Sequence, residues 1–249
     1  MIRIIIQGIN GRMGKALYSL ISLRDDCKVV AGIDVKQYEN DVPVFSSLKD
    51  VNIKADVLID FSCPDASMLS LEYCNKISLP MVICTTGFNV EQEEKIKSAA
   101  QNIAIFKSAN MSLGVNLLIE LAQKASTILG IDYDIEIIEK HHNNKVDAPS
   151  GTALMLADSI NNVNDNKYHY VYDRQSVRAK RDNKEIGIHS IRAGNIVGEH
   201  DILFAGQNET ITLSHSASSR EVFASGAVSA ALFLSPQKAG LYTMKDLML

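Results

Sequence analysis

One short stretch of this chain crowds together groups that can move protons and hold an anion: Glu139-Lys140-His141-His142-Asn143-Asn144-Lys145-Val146-Asp147-Ala148-Pro149-Ser150-Gly151-Thr152-Ala153. Adjacent imidazoles beside an ammonium can supply a proton to a reacting carbon or nitrogen. Ser-Gly-Thr after a proline predicts a helix start. A helix N-terminus flanked by the Ser150 and Thr152 hydroxyls and by cations can bind a carboxylate. Plainer readings exist. Ser150 or Thr152 can simply cap the helix, and paired histidines can decorate a strand end. Zinc is the sharper rival. However, no Cys or carboxylate stands at a third-ligand spacing, HEXXH is absent, and His169, His189, His200 and His215 stand isolated. No metal is expected.

A second chemical signal opens the chain. Gly8, Gly11 and Gly14 follow an apolar run and precede a helical pattern, in the spacing GxxGxxG. Glycines there let the backbone turn tightly and approach a pyrophosphate whose charge sits on the helix N-terminus. Asp34 closes the next strand, where a carboxylate can accept hydrogen bonds from an adenosine ribose. The alternative is an ordinary turn and a surface aspartate. Cys84-Thr85-Thr86-Gly87 and Ser108-Ala109-Asn110-Met111 follow two later strands, at the sheet end where open parallel sheets hold ligands.

The elements that must position these groups are legible as two patterns. In the first half, short apolar runs at 2–6, 29–33, 57–61, 81–84 and 103–106 alternate with helical stretches at 11–23, 66–74 and 90–100. That alternation predicts a parallel sheet covered on both faces. Then come a long apolar helix at 113–129, a strand at 134–140 and a helix at 151–160. Strands at 186–192, 199–204 and 210–215 follow in succession, and a helix at 220–234 comes last. Successive strands predict an α+β domain with a mixed or antiparallel sheet. The polar stretch 161–185 reads as an excursion.

The 249 residues suffice for one large domain or two modest ones, and the formal net charge of −4 argues against a nucleic-acid surface. The four cysteines are scattered, without CxxC spacing, which fits a reducing cytoplasm. No apolar stretch approaches the roughly 18 residues of a membrane helix, and the N-terminus lacks a signal-peptide pattern. No nucleic-acid or membrane partner is expected.

The run EKHHNNKVDAPSGTA resembles the signature E-x-HH-x-x-K-x-D-A-P-S-G-T-A of the 4-hydroxy-tetrahydrodipicolinate reductase family. GINGRMGK at 8–15, TTGF at 85–88, SANMSLGVN at 108–116, IRAGNIVGEHDILFAG at 191–206, SSREVFASGAV at 218–228 and GLYTMKDL at 240–247 resemble further family segments in the same order. The resemblance implies an NAD(P)H-dependent oxidoreductase of diaminopimelate and lysine synthesis acting on a small cyclic dicarboxylate. It implies an α/β fold: a Rossmann-like parallel-sheet nucleotide domain at 1–111 and 219–249, and a smaller α+β substrate and oligomerisation domain at 112–218. A homotetramer is implied as well.

Carried over residue by residue, the resemblance places Gly8, Ile9, Asn10, Gly11, Arg12, Met13, Asp34, Cys84, Thr85, Thr86, Ser108, Ala109, Asn110 and Met111 against the cofactor. It makes His141 a proton donor or acceptor and Lys145 a second proton donor. His142, Lys145, Ser150, Gly151 and Thr152 hold the substrate's carboxylates. Cys84 departs from the glycine usual in the family. Val35 replaces the arginine that some relatives carry to meet a 2′-phosphate, with Lys36 next. Use of both NADH and NADPH is expected. Two rival readings are a nicotinamide enzyme like aspartate dehydrogenase and a catalytically dead nucleotide sensor; neither has evident need of the HHxxK and SGT groups together.

Overall fold

Short runs that are apolar at every position are explained when successive side chains enter cores on opposite faces of one sheet. The computed structural model describes residues 1–35 and 41–249, and it shows this arrangement. The first elements are β1 (Ile2–Gln7), α1 (Arg12–Ile21), β2 (Cys27–Ile33), β3 (Val44–Phe45), β4 (Val57–Asp60), α2 (Pro64–Ile77), β5 (Met81–Ile83), α3 (Val90–Ala99) and β6 (Ala104–Lys107). Ile4, Ile6, Val57, Ile59, Val82 and Phe106 bury into one core, while Ile5, Leu58, Met81, Ile83 and Ile105 bury into the other.

The chain continues through α4 (Leu113–Leu129), β7 (Asp134–His141), α5 (Gly151–Asn162), β8 (His169–Val171), β9 (Glu185–Arg192), β10 (Gly198–Ala205) and β11 (Thr210–Ala217). It ends with α6 (Glu221–Leu234), β12 (Gly240–Tyr242) and α7 (Met244–Met248). The first sheet has seven strands in the order β12-β6-β5-β4-β1-β2-β3, and every pairing in it is parallel. The second has five, ordered β11-β10-β7-β9-β8. It is mixed: β10 pairs antiparallel with β7 and β11, whereas β9 pairs parallel with β7 and β8. Two units result, Met1–Leu113 with Arg220–Leu249, and Gly114–Ser219.

Local chemistry sets the element ends. Asn89 and Gln92 form a reciprocal capping box at the start of α3, and Pro64 opens α2 where its missing N–H costs nothing. Several elements exceed the sequence reading. Strands β3, β8 and β12 are two or three residues long, too short to carry a period. The polar stretch 161–185 is not a mere excursion. It supplies β8 at the sheet edge, fixed by Asn161, whose side chain accepts from Tyr168 N–H and donates to Tyr168 C=O at 2.9 Å each. Among the described residues, no helix is long and apolar enough to cross a membrane.

Candidate active site

Strand β7 alternates strictly, so Ile135, Ile137, Glu139 and His141 share the buried face. The neighbouring register completes a row. Phe204, Ile202 and His200 of β10 stand opposite Ile135, Ile137 and Glu139. On the other side Ile186, Ile188, Ser190 and Arg192 of β9 stand beside Ile135, Ile137, Glu139 and His141. The core face thus turns polar at one end of the sheet.

Glu139 is fully buried. Arg192 donates to it from two nitrogens, Nη1 to Oε2 at 2.8 Å and Nη2 to Oε1 at 2.7 Å. Ser150 N–H donates to Oε1 at 3.1 Å, and His141 Nδ1 lies 2.6 Å from Oε2. Burial pushes the Glu139 carboxyl up, but bonds from Arg192, Ser190 and His141 outweigh it and hold the group at about 2. A permanent carboxylate at Nδ1 requires the proton there, leaving Nε2 of the neutral ring as the other pole. Beside Nε2 the chain has Gly198, where a Cβ would stand 3.1 Å away. Burial lowers the His141 pKa, Glu139 raises it, and Lys145 and Arg192 lower it further, for a net decrease.

His200 packs edge-on against His141 with ring centroids 5.3 Å apart, and its Nε2 lies 3.1 Å from Ser150 Oγ. Burial, then the neighbouring His141, brings His200 down to about 4, so it is neutral near pH 7. His200 and His189, which meets Glu136 at 2.8 Å, stand apart from other metal-ligand residues in the sequence but have polar partners in space. Arg192 and His200 were missed as parts of the site, and Glu139, although within the run singled out in the sequence, was given no role there. The spacing of Glu139 two residues before His141 was the available signal, since it puts both on one strand face. Arg192 and His200 come in by strand pairing, which sequence spacing does not carry.

Lys140 goes elsewhere. The same alternation sends it to the opposite face, where it pairs with Glu199 at 3.0 Å and Asp201 at 3.2 Å. Lys145 pairs with Asp147 at 2.9 Å in the loop after β7, which also holds the half-buried His142. Ser150 caps α5, its Oγ accepting from Ala153 N–H at 3.2 Å. It is buried, and its hydroxyl faces the helix and His200. Gly151 and Thr152 form the exposed and half-exposed first turn.

In the first unit the glycine turn is closely packed. Gly8 has φ +77°, and a Cβ on it would meet Phe61 O at 2.5 Å; one on Gly14 would meet Gly8 O at 2.1 Å. Gly11 precedes α1 without a side-chain cap, so the first-turn amides are left to other partners. Ile9 is buried against the core, while Asn10, Arg12 and Met13 remain at least partly exposed. Asp34 Oδ2 accepts from Asn10 N–H at 3.0 Å. A cavity of about 390 Å³, lined by Gly8, Asp34, Ser62, Cys63 and Tyr73 among others, opens beside this turn. That volume and these groups fit the adenosine half of a dinucleotide. Lys36 lies outside the described residues.

The later loops sit at the same sheet end. Cys84, Thr85 and Thr86 follow β5. Burial and then Asp60 push the Cys84 thiol up, so it is a small neutral group. After β6, Ser108 Oγ donates to Asn110 C=O at 2.7 Å and Asn110 Oδ1 accepts from Ser112 N–H at 2.9 Å. Ala109 lies inside this turn, and Met111 is buried beside Gly226 of α6. Among the described residues, no group of three or more His, Cys, Asp or Glu could hold a metal ion.

Residues 2–111 match the family model for dihydrodipicolinate reductase, N-terminus, and residues 114–248 match that for dihydrodipicolinate reductase, C-terminus. The 4-hydroxy-tetrahydrodipicolinate reductase of Caldanaerobacter subterraneus subsp. tengcongensis is 53% identical over 247 residues, covering 99% of this chain and 98% of that one. That of Clostridium tetani is 47% identical over 245 residues, covering 98% and 96%. A solved structure of dipicolinate-bound dihydrodipicolinate reductase from Paenisporosarcina sp. TG-14 superposes with a TM-score of 0.84 at 29% identity, covering 100% of both chains.

Proposed function

The chain belongs to the dihydrodipicolinate reductase family, and from that membership we infer how its own residues carry the NAD(P)H-dependent reduction of 4-hydroxy-tetrahydrodipicolinate to tetrahydrodipicolinate, a step of diaminopimelate and lysine synthesis. The reaction exchanges a ring hydroxyl for a hydride and releases water, so it consumes one proton. A bound nicotinamide nucleotide supplies the hydride. The protein's task is to hold two carboxylates and deliver the proton.

The observation that carries this reading is the chain Arg192–Glu139–His141. It fixes the tautomer of His141, so Nε2 is the atom that takes up or gives the proton, and Glu139 stabilises the imidazolium that forms. Lys145 is the second proton donor. The α5 first turn at Gly151 and Thr152, with His142 and Lys145, receives the substrate's carboxylates. Ser150 acts from behind that turn. The dipicolinate in the Paenisporosarcina relative, itself a small cyclic dicarboxylate, supports this substrate class.

The cofactor reading assigns the pyrophosphate to the turn formed by Gly8, Ile9, Asn10, Gly11, Arg12 and Met13, and the adenosine ribose to Asp34. Cys84, Thr85, Thr86, Ser108, Ala109, Asn110 and Met111 complete the contact. Asp34, half-buried, favours a free 2′-hydroxyl, and a single charge interaction of this kind near a protein surface is worth only about 1 kcal/mol. NADH and NADPH therefore give kcat/KM values within about tenfold of each other; steady-state kinetics with both cofactors check this. The same reading takes the enzyme to be a cytoplasmic homotetramer, which sedimentation analysis of the 27.3 kDa chain tests.

The deciding assay follows NADH oxidation with the freshly made condensation product of aspartate semialdehyde and pyruvate. His141→Ala and Lys145→Ala each lower kcat by about 10²–10⁴, the range of a lost general acid, while NADH still binds. Near-normal turnover in either variant removes that residue from the mechanism. No turnover by the wild type, with NADH binding intact, points instead to a nucleotide sensor.

A further inference from the structure

A fully buried carboxylate lies beneath the cofactor loops, and among the described residues its hydrogen-bond partners include no cation. Asp60 closes β4, between Gln7 at the end of β1 and Ile83 at the end of β5. Its donors are the Ser62 N–H at 3.1 Å, the Thr85 hydroxyl at 2.9 Å, and the Ser62 and Ser67 hydroxyls. Ser62 N–H also reaches Thr85 Oγ1 at 3.1 Å, which ties the loops after β4 and β5 to each other. Gln7 Nε2 donates to Ser62 Oγ at 3.0 Å, and Ser70 Oγ donates to Gln7, so the end of β1 and helix α2 join the network.

This network carries the wall of the nucleotide cavity. Gln7, Gly8, Ser62, Cys63 and Ser70 all line that cavity. The left-handed Gly8 turn packs directly on the Phe61 carbonyl, at a separation that excludes a Cβ. Moving Phe61 or Ser62 therefore moves the turn that faces the pyrophosphate. A buried polar network of this kind is rigid when every member is satisfied and costly when one is removed.

We propose that Asp60 is a positioning residue for the nicotinamide cofactor: it fixes Ser62 and Thr85, and through them the Gly8 turn, in the arrangement that receives the dinucleotide. A hub of hydroxyl donors suits this place. A dinucleotide brings its own negative charges, and burial pushes the Asp60 carboxyl up, toward its neutral form. The role is separate from proton delivery at His141, because all of these groups belong to the first unit.

The test is a fluorescence titration with NADH in the absence of substrate, so it does not depend on turnover. Asp60→Ala raises the NADH Kd by about tenfold or more, and Ser67→Ala, which removes one of its buried donors, raises it about threefold to tenfold, the range for lost buried hydrogen bonds. In both, kcat at saturating NADH stays within about threefold of wild type. If Asp60→Ala does not fold, Asp60→Asn keeps the shape and decides the matter, with a rise of about fivefold expected. A folded Asp60 variant whose NADH Kd lies within twofold of wild type overturns the proposal, whatever its melting temperature. So does a variant that loses kcat while its NADH Kd is unchanged.

Discussion

Among the described residues, each unit buries one carboxylate completely on a strand, Asp60 at the end of β4 in the first and Glu139 two residues before the end of β7 in the second. The two are solvated in opposite ways. Asp60 is ringed by hydroxyls and an N–H, and its pKa is raised by burial. Glu139 faces a guanidinium and an imidazole and is held at about 2. Hydroxyls stiffen a loop without demanding a charge, which suits a floor beneath an anionic cofactor. A guanidinium enforces the charge, which suits a carboxylate that must orient a histidine and stabilise its protonated form. The same side-chain chemistry is thus tuned by its neighbours to two different tasks.

The largest effect comes from stripping Glu139 of its cation. Arg192→Leu leaves a buried carboxylate without its counter-charge, and should cost about 3–5 kcal/mol of stability together with most of the activity. Urea denaturation at pH 7 measures it. A loss below about 1 kcal/mol would mean the charge of Glu139 does not depend on Arg192, and the contrast with Asp60 would collapse.

Glu139→Gln keeps the shape and removes the charge. Its kcat should fall by about 10², part of the general acid–base contribution, with the KM for NADH unchanged. Glu139 raises the pKa of His141, so the limb of the kcat/KM profile that reports His141 should move to lower pH in the variant. An unmoved limb would deny that Glu139 acts through His141.

The smallest effect is a difference of slope. Glu139 has a depressed pKa, so its stability contribution is fully present above its ordinary value of 4.5 and is lost only as pH falls toward 2. Asp60 has a raised pKa, so the folded state binds its proton more tightly than the unfolded chain does, and stability from it falls as pH rises through its folded pKa. Melting temperatures measured upward from pH 4 should therefore show wild type losing ground to Asp60→Asn as pH rises above the ordinary carboxylate value of 3.8. Against Glu139→Gln no loss of that kind comes from the carboxylate, and the one change between pH 5 and pH 8 comes from His141, whose pKa Glu139 raises. Parallel behaviour of the two pairs would erase the distinction.

Much of this was legible in the sequence because it rests on local patterns. Doubly buried parallel strands read as unbroken apolar runs such as Ile4-Ile5-Ile6, and the Gly8 and Gly14 turn announces itself by position. The HHxxK and SGT groups likewise lie within one short segment. What escaped depends on partners far apart in the chain. Arg192 and His200 reach Glu139 and His141 only through the register of β9 and β10 with β7. Lys140 was grouped with His141 although a strand sends adjacent residues to opposite faces. Asp60 drew no notice, because a lone acid at the end of an apolar run looks like a strand terminus until its hydroxyl ring is seen.

The placement of β12 and α6 bears on how the molecule is made. Strand β12 adds to β6 at the edge of the first sheet, and Ala224, Ala227, Val228, Ala231 and Leu234 of α6 share a core with Ile4, Ile6, Val57, Ile59 and Phe106. A ribosome moving at about 5–20 residues per second needs on the order of 5–20 s to pass from residue 113 to residue 220. Throughout that interval the emerging first half carries an apolar sheet face whose cover has not been synthesised. The second unit, by contrast, is contiguous from Gly114 to Ser219 and has all its own strands before α6 appears. The contiguous second unit therefore has all its parts before the discontinuous first unit does, although the first begins earlier in the chain.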